Sequence, residues 1–354
     1  MVPLFKPFIP ELPKLNDILN SGKIASGEYT QLFEKSLKQY FGTPYLIVTN
    51  TFSSAISVSL ATYGLKFGDE VILSPMACLA STQPFLAYGL KVKWCDVDPK
   101  TGTIDPIYLD SIITDKTKLI VHNHYCGYVG NIDEVNEIGK KYNIPIMDDG
   151  IECFGSEYKG SKVGNCGTDL TVFSLSAVRI PNTIEGGIVI FKDEQLYKKS
   201  LRIRDCGIDR KKFRDDLGEI NPKCDISEIG YSATMSNINA YIGYQQMKNI
   251  KNLIQIQRQN AKIICNKIKD DLEITPIKEI DSKPNYWVYG VISLNKEKTI
   301  LKYRKLGFYA SGVHINNNIY SVFGNQLELP GAKSFNDHFV ALPSGWWVKE
   351  YPCL

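Results

Sequence analysis

A single cation, Arg179, lies between two apolar runs of the sequence that are typical of strands. Residues 172–175 precede it, and Glu185-Gly186-Gly187 and the apolar residues 188–191 follow it. The two glycines permit turn conformations that other residues disfavour. A charge held between two buried strands is costly unless it has a partner or a function. Arg179 is therefore the first candidate for a functional residue.

Two serines mark a second place where chemistry is expected. Ser53 and Ser54 follow an apolar stretch at residues 46–48 and precede a predicted helix at residues 55–63. A strand that runs through a Ser/Thr-rich turn into a helix presents N–H groups and hydroxyls to an anion, and the helix dipole adds to the attraction. A simple helix N-cap is the alternative interpretation of this pattern.

The elements that must position these residues alternate between strands and helices. This alternation predicts an α/β fold with a mixed, mainly parallel sheet flanked by helices. In such sheets ligands bind beyond the carboxyl ends of the strands. Ser53, Asp149 and Arg179 each follow a predicted strand, so we expect their loops to converge at one edge of the sheet.

The pattern changes along the chain and predicts two domains. Residues 1–250 carry the alternation and form a large domain that binds cofactor and substrate, whereas residues 251–354 form a smaller α+β domain of short strands and turns. One long helix is predicted over residues 236–269, across the boundary between the two domains.

Composition narrows the class of protein. The 354 residues are 44% hydrophobic and carry a formal net charge of +3, without a dense basic block, so we expect neither nucleic acid nor a membrane as a partner. The nine cysteines are odd in number and show no metal-binding spacing. They are expected to be buried free thiols in a reducing cytoplasm, and no leader segment is recognised.

Short motifs in a fixed order identify a family resemblance. The chain resembles the DegT/DnrJ/EryC1/StrS nucleotide-sugar aminotransferases, which are pyridoxal-phosphate (PLP) enzymes of fold type I. The resemblance implies a cytoplasmic homodimer with a shared active site, and a nucleotide-linked keto- or amino-sugar from surface-polysaccharide or deoxysugar synthesis. The motifs that carry it include Gly68-Asp69-Glu70-Val71-Ile72, Pro145-Ile146-Met147-Asp148-Asp149, Phe173-Ser174, Glu185-Gly186-Gly187, Gly230-Tyr231 and Met235-Ser236.

The resemblance also implies roles for individual residues. Asp149 matches the carboxylate that keeps the pyridine nitrogen protonated, so that the ring can accept electrons. His124 matches a common family histidine that lines the pocket, although a structural histidine is an equal alternative. The remaining matched positions belong to the phosphate, ring and sugar sites, and they are Ser53, Ser54, Ser174, Leu79, Ser232, His314 and Asn317.

Several departures from the family pattern fall in the same pocket. Phe52 stands where the family has glycine, and Leu79 stands where it offers an aromatic ring for stacking on the pyridine. Glu152 replaces a glutamine that reaches the ring hydroxyl, and a carboxylate donates a hydrogen bond only when protonated. Ser232 replaces an asparagine that reaches the phosphate of the partner subunit.

The largest departure is Arg179, which occupies the position of the lysine that forms the Schiff base with PLP. A guanidinium stays protonated and is a poor nucleophile, so it cannot replace that amine. An introduced Lys→Arg change is one explanation, but it leaves Phe52, Leu79, Glu152 and Ser232 unexplained. A second is a non-covalently held pyridoxamine phosphate (PMP), as in the family's sugar dehydratases, with Glu152 or a tyrosine as the base. A third is a PLP-free site, in which Arg179 pairs with Glu152 or Asp149, or binds an anionic substrate group.

Overall fold

The computed structural model describes residues 1–324 and 327–351. The helices of these residues are α1 (Leu15–Asn20), α2 (Glu28–Phe41), α3 (Phe52–Tyr63), α4 (Leu79–Ala87), α5 (Pro106–Ile112), α6 (Ile132–Tyr142), α7 (Glu194–Ile203), α8 (Asn237–Met247), α9 (Ile250–Ile268), α10 (Lys296–Lys305) and α11 (Pro330–His338). Short 3-10 turns lie at Tyr125–Gly127, Asn317–Ile319 and Ser321–Phe323.

The strands form one large sheet and two small ones. The strands are β1 (Leu46–Thr49), β2 (Glu70–Leu73), β3 (Lys91–Trp94), β4 (Thr117–Asn123), β5 (Ile146–Asp149), β6 (Glu157–Tyr158), β7 (Ser161–Lys162), β8 (Leu170–Ser174), β9 (Gly187–Phe191), β10 (Ile274–Pro276), β11 (Ser282–Lys283), β12 (Tyr289–Ser293) and β13 (Phe339–Leu342). The large sheet has seven strands in the order β1-β9-β8-β5-β4-β2-β3, and the small sheets have the orders β10-β12-β13 and β11-β6-β7.

The central strands of the large sheet are buried on both faces. Every residue of β1, β5, β8 and β9 is buried. All neighbours in the sheet pair in parallel except β9, which is antiparallel to both β8 and β1. Continuous apolar strands of this kind are typical of sheets buried on both sides. The predicted α/β fold with a mixed, mainly parallel sheet is confirmed.

Three strands bring the candidate residues to one edge of the sheet. Because β9 is antiparallel to both of its neighbours, β1 and β8 run in the same direction, and β5 is parallel to β8. Their carboxyl ends therefore place Thr49, Asp149 and Ser174 at the same edge. The predicted convergence of these loops is borne out.

Two helix boundaries differ from those predicted. The helix expected from residue 55 starts at Phe52, because Thr51 is its N-cap and accepts a hydrogen bond from the Ser54 N–H at 2.9 Å. The single helix expected over residues 236–269 is two helices, α8 and α9. Bonds from Lys248 and Asn249 to carbonyls three residues earlier tighten the end of α8 and separate the two helices.

The C-terminal part of the chain has its own apolar core. Ile264 on α9 packs with Val291 on β12 and Val340 on β13, whereas Leu253, earlier on α9, packs against the large sheet's helices. The same helix thus joins both parts. The domain boundary at residue 250 stays a prediction.

The cysteines are less uniformly buried than expected. Each described cysteine is a free thiol, but Cys206 and Cys265 are exposed and only Cys95, Cys126 and Cys153 are buried. The expectation of buried thiols is wrong for the two exposed residues, because they lie on a surface turn and on the outer face of α9, and Cys353 lies outside the described residues. Among the described helices, none combines the length and the apolar character that crossing a bilayer requires.

Candidate functional site

Arg179 lies in the loop between β8 and β9, and the residue is only 6% exposed. The guanidinium carbon lies 4.3 Å from the centre of the Trp287 ring, and Nη2 lies 3.5 Å from Glu152 Oε1. A planar guanidinium is attracted both to the face of an indole and to a carboxylate. Of the two carboxylates expected to pair with Arg179, Glu152 is the one that contacts it.

The loop that carries Arg179 is fixed by hydrogen bonds to α8. Asn182 N donates to Gln246 Oε1 at 3.0 Å, and Gln246 Nε2 donates back to Asn182 O at 2.8 Å. Ile184, later in the same loop, adopts a φ of 69°. A β-branched residue in this left-handed region is strained. The loop therefore holds the guanidinium in one place.

Glu152 is the centre of the polar contacts in the site. Its Oε1 lies 2.9 Å from His314 Nε2, and its Oε2 accepts a hydrogen bond from the Cys126 N–H at 2.7 Å. Burial on its own would raise the pKa of Glu152, but His314, Arg179 and the Cys126 N–H hold it below its usual value. Glu152 is therefore an ionised acceptor with both oxygens in use, rather than a donor to a ring hydroxyl.

Asp149 is buried at the end of β5, beside the neighbouring strand β4. Asn123 Nδ2 donates to Asp149 Oδ2 at 2.7 Å, and the Ile151 N–H donates to Oδ1 at 3.1 Å. Burial raises the pKa of Asp149, although these donors favour its ionised form. Within the described residues no cationic side chain lies within ion-pair distance of this carboxylate. A cationic group beside Asp149 would stabilise the ionised form of its carboxylate.

The first turn of α3 provides the expected anion-binding geometry. The N–H groups of Phe52 and Ser53 are the first of the helix and have no acceptor within it. Ser53 is exposed and Ser54 half-buried, and Ser54 also shares a hydrogen bond with the Thr51 hydroxyl at 2.8 Å. The Phe52 ring packs into the core and is only 5% exposed. Phe52, which replaces the family glycine, thus directs its ring into the core and away from the first turn of α3.

Three further predicted residues lie around the same edge. Ser174 ends β8 and accepts a hydrogen bond from the Ser176 N–H at 3.2 Å. Leu79 is the first residue of α4 and is half-buried. Ser232 is exposed, and its backbone carbonyl accepts from Asn50 beside β1. Their roles toward a cofactor or a partner subunit stay predictions, as does the homodimer itself.

His124 lies apart from Arg179 and Glu152, on the opposite side of β5. It is completely buried, and its Nε2 lies 3.3 Å from Asp148 Oδ1. Its Nδ1 accepts from the Gly130 N–H at 3.3 Å, whereas its Nε2 has no hydrogen-bond partner among the described residues. His122 flanks the same carboxylate at 3.5 Å. The three side chains form a buried cluster at ion-pair distances, and their facing atoms make no hydrogen bonds within the described residues, so a role of His124 in the pocket stays a prediction.

Asn317 is also held by structural contacts. It is buried, and its Nδ2 donates to Ala77 O at 3.1 Å and to Thr82 Oγ1 at 2.9 Å. Both amide protons are therefore used to fix the segment that leads into α4. A role of Asn317 as a sugar ligand stays a prediction, and these contacts do not favour it.

Neither lysine that precedes Arg179 most closely in the sequence reaches the site. Lys159 is exposed and pairs with Asp133 at 2.6 Å. The Lys162 ammonium lies over the ring of Tyr40 at 5.0 Å. Both side chains are thus engaged at the surface around β6 and β7, and neither supplies the amine that Arg179 lacks.

Sequence reasoning missed two residues of the site. Trp287, which stacks on Arg179, lies 108 positions further along the chain, and no periodicity links the two. Asn123, which donates a hydrogen bond to Asp149, could have been identified from the sequence. It lies one residue before His124 on β4, and the parallel pairing of β4 with β5 places it directly opposite Asp149.

The described residues fit a phosphorylated pyridine cofactor that is held without a covalent bond. The Asp149 carboxylate has no cationic partner of its own and suits a protonated ring nitrogen. The first turn of α3 suits a phosphate. A covalent bond to the cofactor at residue 179 is excluded by the chemistry of the guanidinium.

Comparison with known proteins identifies the family to which this chain belongs. Residues 10–347 match the sequence profile of the DegT/DnrJ/EryC1/StrS aminotransferase family. An uncharacterised protein of Methanocaldococcus jannaschii is 29% identical over 97% of this chain and 92% of its own length. The UDP-4-amino-4-deoxy-L-arabinose–oxoglutarate aminotransferase of Shewanella sediminis is 28% identical over 88% of this chain and 82% of its own.

A solved structure extends the likeness to three dimensions. The crystal structure of a sugar aminotransferase from Micromonospora echinospora superposes with a TM-score of 0.92 at 25% identity, over 99% of this chain and 96% of that one. The profile match covers nearly the whole chain and the fold agrees throughout. The chain therefore belongs to the DegT/DnrJ/EryC1/StrS aminotransferase family.

Proposed function

We propose that this protein binds a nucleotide-linked keto- or amino-sugar at the edge formed by β1, β5 and β8, and acts on it without a covalently attached cofactor. The observation that carries this proposal is the Arg179 guanidinium, which stacks on Trp287 and pairs with Glu152 where an aminotransferase has its reactive amine. The substrate class and the setting, surface-polysaccharide or deoxysugar synthesis, rest on family membership.

The cofactor in this proposal is PMP or PLP, held by non-covalent contacts alone. Asp149 would hold the ring nitrogen, and the N–H groups and serines at the start of α3, with Ser174, would hold the phosphate. When bound, such a cofactor supplies an electron sink for bonds next to the substrate's reacting carbon. The protein's own part is to keep the ring nitrogen protonated and the ring fixed above the strand ends.

The test is a binding measurement on tag-free protein with added PMP and PLP. We expect calorimetry to show reversible binding, and borohydride followed by dialysis to leave no cofactor on the chain. Asp149→Asn removes the buried charge that faces the ring nitrogen, and we expect it to weaken binding by roughly tenfold or more. Asp193→Asn, the same change at the exposed N-cap of α7, is the matched control and should bind normally.

A cofactor-free sugar-nucleotide binder is the second candidate, and one feature of the site favours it. Arg179 Nε and Nη1 are buried without hydrogen-bond partners within the described residues. Guanidinium N–H groups that lack partners suit an anionic group of a ligand. Binding of UDP-glucose or dTDP-glucose with no uptake of either cofactor would contradict the first proposal and support the second.

A further inference from the structure

One histidine differs from the others in combining exposure with a carboxylate partner. His122 and His124 are completely buried around Asp148. His338 contacts a carbonyl of its own helix at 2.7 Å. The side chain of His314 is 20% exposed and lies 2.9 Å from Glu152 Oε1. Histidine is the side chain best suited to accept and return protons near neutral pH.

The contact with Glu152 determines which ring nitrogen of His314 is free. Glu152 is an ionised acceptor whose other oxygen is fixed by the Cys126 N–H, so the imidazole must donate from Nε2. Nδ1 then carries the lone pair. Nδ1 has no hydrogen-bond partner among the described residues. It is not one of their buried unpaired polar atoms, so it is accessible from outside. The geometry is that of a base oriented by a carboxylate.

The backbone around His314 is also unusually constrained. Val313, directly before it, adopts a φ of 60°, which is strained for a β-branched residue. The Tyr125 ring meets the imidazole edge-on, with centroids 6.1 Å apart. Strain of this kind persists where the surrounding structure enforces it, and it concentrates at functional sites. The strain at Val313 thus helps to orient the ring beside Glu152.

We propose that His314 is the catalytic base of this site and removes a proton from the sugar carbon next to the carbonyl of a nucleotide-linked keto-sugar. In the step, the C–H bond breaks, its electron pair moves toward the carbonyl to give an enolate, and the proton goes to His314 Nδ1. The reverse step returns a proton to the same carbon. This inference rests on the substrate class of the proposed function, and not on which cofactor is bound.

Glu152 and Arg179 are positioning residues in this proposal. Glu152 fixes the tautomer and direction of His314, and Arg179, 3.5 Å from the same Oε1, keeps Glu152 ionised. Arg179, at the position of the family lysine, thus acts through Glu152 and His314. The proton-transfer role that a lysine amine has in an aminotransferase moves to a histidine that enters from the loop after α10.

The test measures deuterium exchange into a dTDP-linked keto-sugar and its UDP-linked counterpart in D₂O by NMR, with and without PMP. We expect the unvaried chain to exchange the hydrogen next to the carbonyl. His314→Ala should lower that rate by about 10²–10⁴-fold, while the affinity for the keto-sugar by calorimetry stays the same. Added imidazole should restore part of the lost rate, which a purely structural role would not allow.

Two further variants make the outcome unambiguous. Glu152→Gln should slow exchange without a change in affinity, and imidazole should not rescue it because His314 is still present. His338→Ala is the matched control and should exchange normally. If the keto-sugar binds but the unvaried chain exchanges nothing, or if His314→Ala exchanges at the normal rate, the inference is wrong and the proposed function stands. A chain that binds no keto-sugar contradicts the proposed function itself.

Discussion

Arg179→Lys is expected to turn a chain that cannot retain PLP covalently into one that does. In the unvaried protein, borohydride should leave no cofactor attached, because a guanidinium does not form a Schiff base. In the variant, an amine replaces a cation that is 6% exposed and lies against Trp287. Unlike a guanidinium, a lysine amine can lose its proton and attack the aldehyde of the cofactor. Mass spectrometry after reduction should then find about one cofactor per chain.

Two control variants separate this result from a general effect of the substitution. Arg202→Lys makes the same change in a partly exposed ion pair with Glu228, and it should leave the chain unlabelled. Arg179→Gln removes the charge without adding an amine and should also stay unlabelled. Labelling of the unvaried chain would mean that another lysine reaches the cofactor, contrary to the geometry. Restored amino transfer in Arg179→Lys would show that this residue alone blocks it.

Trp287→Ala is expected to cause the largest loss of stability among the site variants. The Trp287 ring lies between Arg179, at 4.3 Å, and the stacked ring of Phe5, at 4.4 Å with 13° between the planes. Its Nε1 donates to Val178 O at 3.0 Å. Removal of a buried tryptophan costs about 3–5 kcal/mol of the free energy of unfolding. The loss should be measured as a lower urea midpoint by circular dichroism.

The controls for Trp287 test whether the loss of stability depends on the position of the tryptophan or on the residue type alone. Trp347→Ala removes the same side chain at a half-buried site and should cost less. Trp287→Phe keeps a ring between Phe5 and Arg179 but loses the N–H donor to Val178, so it should lie between the two alanine variants. Equal losses in Trp287→Ala and Trp347→Ala would show that the contact with Arg179 contributes nothing.

Much of the fold was predictable because strand and helix periods are local properties. Strand β5 and the loop at Arg179 were placed from short apolar runs, and the edge they share follows from parallel pairing. The break between α8 and α9 was not predictable in this way. It depends on bonds made at Lys248 and Asn249, which leave the apolar pattern nearly unchanged.

The site was only partly predictable for a related reason. In the PLP-free alternative, the sequence offered Glu152 or Asp149 as the partner of Arg179, and the structure shows the contact with Glu152. The sequence did not reveal that His314 reaches Glu152, because the two are 162 positions apart and only the folded loop joins them. For His124, the family match predicted the pocket and left a structural histidine as an equal alternative, and the residue lies beside Asp148, just beyond the end of β4.

The register between β4 and β5 fixes the side chains on both faces of the sheet together. Asn123 faces Asp149 on the side of the candidate site, whereas His122 lies opposite Asp148 on the other side, one residue away on each strand. A point substitution can therefore alter one side alone. An insertion or deletion of a single residue would exchange both sets at once. Substitutions in β4 and β5 can therefore change one face of the sheet at a time, whereas insertions and deletions must be confined to the loops beyond these strands.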